Sequence, residues 1–324
     1  MKWAVWGCAL WLASASAHGE WLREEREIMG TRVSVELWSP QRADGQRVID
    51  QVLAEFQRLD QMMNPWDEHS ELARLNREAH LTATRTTPEI VAVIERALHY
   101  SELSDGAFDI SFATVGQHYD YREGRAPDAQ LLQRDVEGID YHAIALNVSE
   151  RTIQFLHPRL QIDLGGIAKG YAVDRAIALL VSAGVESAVV SAGGDSRIVG
   201  DLGDRPRIIG IRHPRREGEY AVRIPLVDTA ISTSGDYERF FIADGVRYHH
   251  ILDPQTGRSA AGLQSASVLS ERSIDADALS TTLFVLGVSR GLDLANRLPG
   301  VDAILIDAHG KLHYSQELLL STTP

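Results

Sequence analysis

Cysteine is almost missing from this chain of 324 residues: Cys8 is the single one. No disulfide can form within the chain, and no Cys/His cluster with zinc spacing is present. An excess of positive charge is also lacking. Lys and Arg number 32 against 45 Asp and Glu, a net charge of -13, which leaves no basis for non-specific attraction to nucleic acid or anionic lipid. The apolar run Trp3 to Leu12 is too short to span a bilayer. There is no Walker-type glycine loop and no GxSxG elbow. Nor is there an internal repeat, a low-complexity tract or a linker.

What remains is 44% apolar and 24% charged, the composition of a soluble globular protein. The length allows one large domain or two small ones. Residues 1–17 read as a secretory signal, with Lys2 as its basic start and Ala15-Ser16-Ala17 as a small-x-small cleavage site. Cys8 lies inside it, so the exported chain has no cysteine. Val5-Trp6-Gly7-Cys8 faintly resembles a lipoprotein box, but too little apolar sequence precedes it, and cleavage after Ala17 is the expectation.

The mature chain alternates between periods. Val33, Val35 and Leu37 give the two-residue period of a half-buried strand over 32–37. Val48, Val52, Phe56, Leu59 and Met63 recur at helical spacing, predicting an amphipathic helix over 46–63 that stops at Asn64-Pro65. Trp66 follows in a loop, where an aromatic face covers core or stacks on a planar ring. Thr87-Pro88 is an N-cap with proline at the first helical position, and Gly106 ends that helix. Residues 117–130 read as a surface loop. Ile144-Leu146-Val148 and Ile153-Phe155 flank a polar turn as a hairpin. Short strands dominate to residue 270, with Asp253 to Gly257 a turn between two of them. Helices over 276–286 and 289–298 and strands over 301–306 and 311–314 complete a mixed α/β or α+β architecture.

The central stretch is Ile162 to Asp174, IDLGGIAKGYAVD. It predicts a short strand, a Gly-Gly turn and a helix over 167–183. Free N–H groups at such a helix start form a ready anion site. Lys169 adds a point charge, with Asp163 beside it. An acidic protein that binds a phosphate ester must supply local positive charge, from lysine, helix ends or a divalent cation. The same pattern also fits a turn whose glycines serve only packing.

A second stretch, Ser273 to Thr282 (SIDADALSTT), places Asp277 and Thr281 four apart on one helical face. A carboxylate, a hydroxyl and nearby carbonyls are hard ligands suited to magnesium; helix capping accounts for one aspartate but less well for the pair. His249-His250 precedes the turn at Asp253. Adjacent strand residues face opposite sides, so only one of the two can look into a site, where it is an obvious general base.

Taken together, these stretches closely resemble the ApbE family of FAD:protein FMN transferases. The matching pieces are MGT (29–31), MNPWDEHSELARLN (63–76), GAFD (106–109), IDLGGIAKGYAVD (162–174), GGD (193–195), ISTSGDYERFF (231–241), HHILDPQTGRSA (249–260) and DADALSTTLFVLG (275–287). The resemblance implies a single two-lobed, T-fold-like α+β domain over 18–324. It also implies a periplasmic, magnesium-dependent enzyme that transfers FMN from FAD to a threonine hydroxyl of a target protein and releases AMP. The acceptor would be a subunit of a membrane redox complex. By motif position, Met29, Trp66, Ala107, Phe108, Asp109, Asp163, Lys169, His250 and Ile251 would line the FAD site. Gly166 (through its carbonyl), Asp277, Ser280 and Thr281 would hold the metal. His250 would be the base and Asp277 a catalytic residue. Trp66 stands where tyrosine is frequent, Asn64-Pro65 replaces a small polar pair, and Ile110-Ser111-Phe112 replaces the frequent Pro-Thr after GAFD. Two rival functions remain on sequence grounds: FAD pyrophosphatase activity yielding FMN and AMP, and non-enzymatic periplasmic flavin binding.

Overall fold

The computed structural model describes residues 19–202 and 205–321. The expected signal segment, with Cys8, lies outside them. The framework is one antiparallel sheet of eight strands that lie side by side in chain order. They are Glu20–Ile28 (β1), Thr31–Ser39 (β2), Ala188–Ala192 (β3), Asp195–Val199 (β4), Ala230–Gly235 (β5), Leu263–Ser270 (β6), Asp302–Asp307 (β7) and Leu312–Tyr314 (β8). Apart from the short helix Gln316–Ser321, which follows β8, the other described elements are inserted between neighbouring strands.

Alternation along the strands gives the sheet two faces. Val33, Val35 and Leu37 of β2, Val190 of β3 and Ala266 and Val268 of β6 face the main core. That core is closed by helices Arg42–Met63 (α1), Pro88–Leu103 (α2), Ala168–Ser182 (α3) and Ser273–Ala295 (α4). On the other face Ile198, Ile231 and Leu269 form a smaller cluster beneath a two-stranded ribbon, Arg207–Arg212 with Tyr220–Leu226.

Several sequence expectations hold. α1 and α3 form, the hairpin Ile144–Asn147 with Thr152–Phe155 pairs in register, and the Asp253 turn joins two short strands. The two C-terminal helices appear as one run, Ser273–Ala295, broken at Gly287, whose φ of 74° no ordinary helix position allows. The loop over 117–130 is shorter than expected. Asp128 caps a helix at Ala129–Val136 through Leu131 N at 2.8 Å.

One expectation fails. Ile162-Asp163-Leu164 is not a strand. The Asn76 side chain stands in for a neighbouring strand, accepting from Ile162 N and donating to Ile162 O, both at 2.9 Å. Asp163 N donates to Ile110 O at 2.9 Å. The segment is thus held extended by one side chain and one loop rather than by a ladder. Strand β1 escaped the sequence reading for a different reason. Its residues, EWLREEREI, are mostly charged, as befits an edge strand guarded against further pairing.

Candidate active site

The N-terminus of α3 is where the chemistry gathers, but several of its N–H groups are already taken. Gly165 N donates to Asp163 Oδ1 at 2.7 Å, and Ile167 N and Ala168 N both donate to Leu164 O. Gly170 N donates to Asp277 Oδ2 at 2.9 Å. The positive helix end therefore grips a carboxylate of the neighbouring helix α4. The close approach needs glycine: a Cβ on Gly170 would stand 2.3 Å from Ser273 O and 2.7 Å from Asp277 Cβ. Asp174, at the end of the same motif, accepts from Ser273 N and Ile274 N at 2.9 and 3.0 Å. It caps α4 from outside that helix.

Lys169 Nζ lies 3.0 Å from Asp195 Oδ2, 3.2 and 3.3 Å from the two Asp277 oxygens, and 3.0 Å from Gly165 O. Burial works against its ammonium, yet the two carboxylates raise its pKa above the ordinary lysine value. Burial and the Asp195 charge push the Asp277 carboxyl up, and Lys169 pulls it back. With both carboxyls ionised, two acids and one base leave this cluster one negative charge in excess. Around it runs a chain of hydroxyls: Ser280 Oγ lies 2.8 Å from Ser234 Oγ and 3.1 Å from Ser232 Oγ, and donates to Asp277 O at 3.0 Å. Thr281 Oγ1 is 3.2 Å from Ser234 Oγ. Asp275 of the same stretch pairs instead with Arg96 at 2.9 Å.

The remaining expected residues distribute unevenly. Phe108 is buried and edge-on to Tyr100, and its ring bounds Gly166, where a Cβ would lie 3.3 Å from it and 3.4 Å from Thr281 Oγ1. Ala107 is buried beside it. Asp109 turns inward, accepting from Ser111 N (2.8 Å), Ser111 Oγ (2.6 Å) and Tyr141 N (2.9 Å). Burial pushes its carboxyl up to about 6. Asp163 is likewise raised by burial and lowered by Gly165 N–H, Arg239 and Lys169. Met29 takes φ 56° in the β1–β2 turn, and Ile251 is buried in the core. Trp66 is 73% exposed, and no ring contact or side-chain hydrogen bond among the described residues ties it to this cluster.

The two histidines part as strand geometry predicts. His249 is buried, its Nε2 2.9 Å from Ala260 O and its ring edge-on to Phe284. His250 is half-buried, its Nδ1 without a partner among the described residues. Its backbone N–H donates to Arg239 O at 3.1 Å. Burial, then Arg239, His249 and Lys169, push its imidazole down to about 3. Sequence reasoning missed Asp195, Arg239 and the Ser232–Ser234 pair as site residues, although all lie in the quoted GGD and ISTSGDYERFF stretches.

Among the described residues no three His, Cys, Asp or Glu side chains converge as a metal-binding group. A mixed set of hard oxygens does fit a small divalent cation: the buried Asp277 carboxylate, the Thr281 hydroxyl, and the Gly166 backbone, which lacks the Cβ that would crowd that hydroxyl. The Ser280 hydroxyl is fully buried behind them.

The site thus lies where two helices meet on one face of an antiparallel sheet, around a lysine–dicarboxylate cluster. The ApbE family's sequence pattern matches residues 29–305. The chain belongs to the ApbE family. It is 34% identical over 298 residues to the FAD:protein FMN transferase of Treponema pallidum, covering 86% of this chain and 82% of that one. It is 30% identical over 302 residues to the one from Vibrio cholerae serotype O1 (90% and 89%). Among solved structures, the ApbE protein of Thermotoga maritima superposes with a TM-score of 0.86 at 31% identity, covering 94% of this chain and all of that one. The flavin transferase ApbE of V. cholerae gives 0.83 at 26%, covering 94% and 99%.

Proposed function

We propose that this protein transfers FMN from FAD to a threonine hydroxyl of a partner protein, with magnesium, releasing AMP, in the periplasm after export by a cleavable signal. The observation that carries the reading is the Lys169–Asp195–Asp277 cluster. It is a buried set of hard oxygens suited to a divalent cation, set beside a neutral histidine, in a chain whose relatives are named for this reaction.

Asp277, Thr281 and the Gly166 carbonyl would hold the magnesium, with Ser280 orienting them. When bound, the ion would supply charge neutralisation at the substrate's diphosphate. Lys169 fixes the Asp277 carboxylate from one side and Gly170 N–H from the other, so the acid needs no reorganisation when substrate arrives. His250 stays neutral at physiological pH and can accept the threonine proton. The approach of an anionic diphosphate raises its basicity at that moment. The threonine Oγ forms its bond to the FMN-side phosphorus as the bond to the AMP oxygen breaks. A membrane redox-complex subunit as acceptor fits a periplasmic enzyme of this kind.

Incubation with FAD, magnesium and a threonine-bearing acceptor, followed by mass spectrometry, tests the reading. Transfer adds FMN to the acceptor in step with AMP. AMP with an unmodified acceptor would mean a pyrophosphatase, and bound flavin without AMP a binding protein.

A further inference from the structure

The charge accounting of the site leaves one requirement unmet. A divalent cation bound here must neutralise both the excess negative charge of the cluster and the diphosphate, so it offsets the substrate's charge only in part, and Lys169 is already engaged by Asp195, Asp277 and Gly165 O. The start of α3 is engaged as well, by Asp163, Leu164 O and Asp277. Lys169 is therefore not free to meet a phosphate, and the helix start is free only in part.

Arg239 is free. It is exposed, and no carboxylate lies within ion-pairing distance of it among the described residues, where every nearby arginine on its flank has one: Arg212 pairs with Glu238, and Arg215 with Asp236 at 2.5 Å. Of its five guanidinium N–H groups, Nη2 donates to Gly30 O at 3.2 Å, and no other side-chain hydrogen bond is made within the described residues. That single bond ties it to the Met29–Gly30 turn, while its backbone carbonyl holds His250 N–H. The guanidinium therefore sits where the β1–β2 turn, the candidate base and the Asp163 loop meet. Asp163 and His250 both feel its charge as well as that of Lys169.

We propose that Arg239 is the side chain that binds the diphosphate of the substrate, and that Lys169 instead holds the carboxylates in place. This rests on the reading of the protein as an FAD-using transferase and deepens it. A guanidinium with most of its fork unoccupied is suited to bidentate contact with phosphate oxygens, in a way a lysine ammonium is not.

The test is fluorescence titration of the full-length exported protein with FAD and with riboflavin, which lacks the phosphates. Wild type would be compared with Arg239→Gln, Arg239→Lys and Arg239→Ala, alongside AMP-release kinetics. Arg239→Gln retains a donor for Gly30 O but no charge, so a purely structural role would be rescued by it. The expected result is that Gln and Ala both weaken FAD binding and raise its KM by about tenfold or more, the scale of a lost charge-assisted hydrogen bond. Lys should recover part of the loss, and riboflavin binding and thermal midpoint should not move. FAD affinity unchanged within twofold in Arg239→Ala, or full rescue by Gln, overturns the assignment while leaving the transferase reading intact. A wild-type protein that neither binds nor cleaves FAD overturns both.

Discussion

Gly170 presents its backbone N–H to the Asp277 carboxylate at 2.9 Å, so the start of one helix holds the acid of the next. The contact exists because no side chain separates the helices at this crossing. Gly170→Ala would place a methyl 2.3 Å from a backbone oxygen that cannot swing aside. The helices must part, at a cost of roughly 1–3 kcal/mol as for other overpacked sites. The expected outcome is a lower urea midpoint together with loss of AMP release. Full activity at unchanged stability would show that the crossing is looser than described.

Asp277 should set the metal requirement. Chelation should abolish AMP release and magnesium restore it, whereas Asp277→Asn should lose about a hundredfold or more and not recover with added metal, the scale of removing one preorganised electrostatic group. Because burial and Asp195 hold this carboxyl above the usual range, protons compete with the metal at the acid end. The half-saturating magnesium concentration should fall as pH rises from 6 to 8. A value independent of pH, or metal rescue of the Asn variant, would remove Asp277 from the ligand set.

Much of this site could be read from the order of residue types, and the part that could not has a physical explanation. Lys169, Asp277 and Thr281 stand out because helical spacing and charge in an apolar context are local signals. That Lys169 meets Asp195 is not local: Asp195 comes from the first position of β4, and only the sheet order brings it beneath α3. The strand expected over 162–164 failed for a similar reason. Alternation there reflects burial on both sides, and the pairing partner turned out to be the distant Asn76 side chain. The charged edge strand β1 carries almost no periodic signal at all. Its identity comes from nine-residue pairing with β2.

His250 should behave as a base that is never charged in the free protein. Burial and the neighbouring cations hold it near 3, so no inflection from it belongs in the pH dependence of kcat/KM between pH 5 and 8. His250→Ala should lower transfer to the acceptor by about 10²–10⁴-fold, with FAD affinity retained. An acid limb near pH 6.5 in wild type that disappears in the alanine variant would contradict the burial argument. Transfer unaffected by the substitution would assign the base elsewhere.

Asp109 illustrates how a residue can belong to a site's motif and yet work by folding it. Its carboxylate collects three donors, Ser111 N, Ser111 Oγ and Tyr141 N, and so ties the GAFD segment to the turn at Tyr141. Burial nevertheless dominates and raises its carboxyl to about 6, above the unfolded value of roughly 3.9. The folded state therefore holds this proton more tightly than the unfolded chain does. The associated stability is fully present below about pH 4 and is lost as pH climbs through about 6. Asp109→Asn cannot titrate, but its single carbonyl replaces two acceptor oxygens and sets an NH2 group against a backbone donor, a cost of about 1–3 kcal/mol. Urea midpoints measured from pH 4 to pH 8 should show the wild type more stable throughout, with its lead over the Asn variant shrinking as pH rises through 6. A lead that instead widened with pH would mean the three donors outweigh burial, and that Asp109 carries a full negative charge in the folded protein.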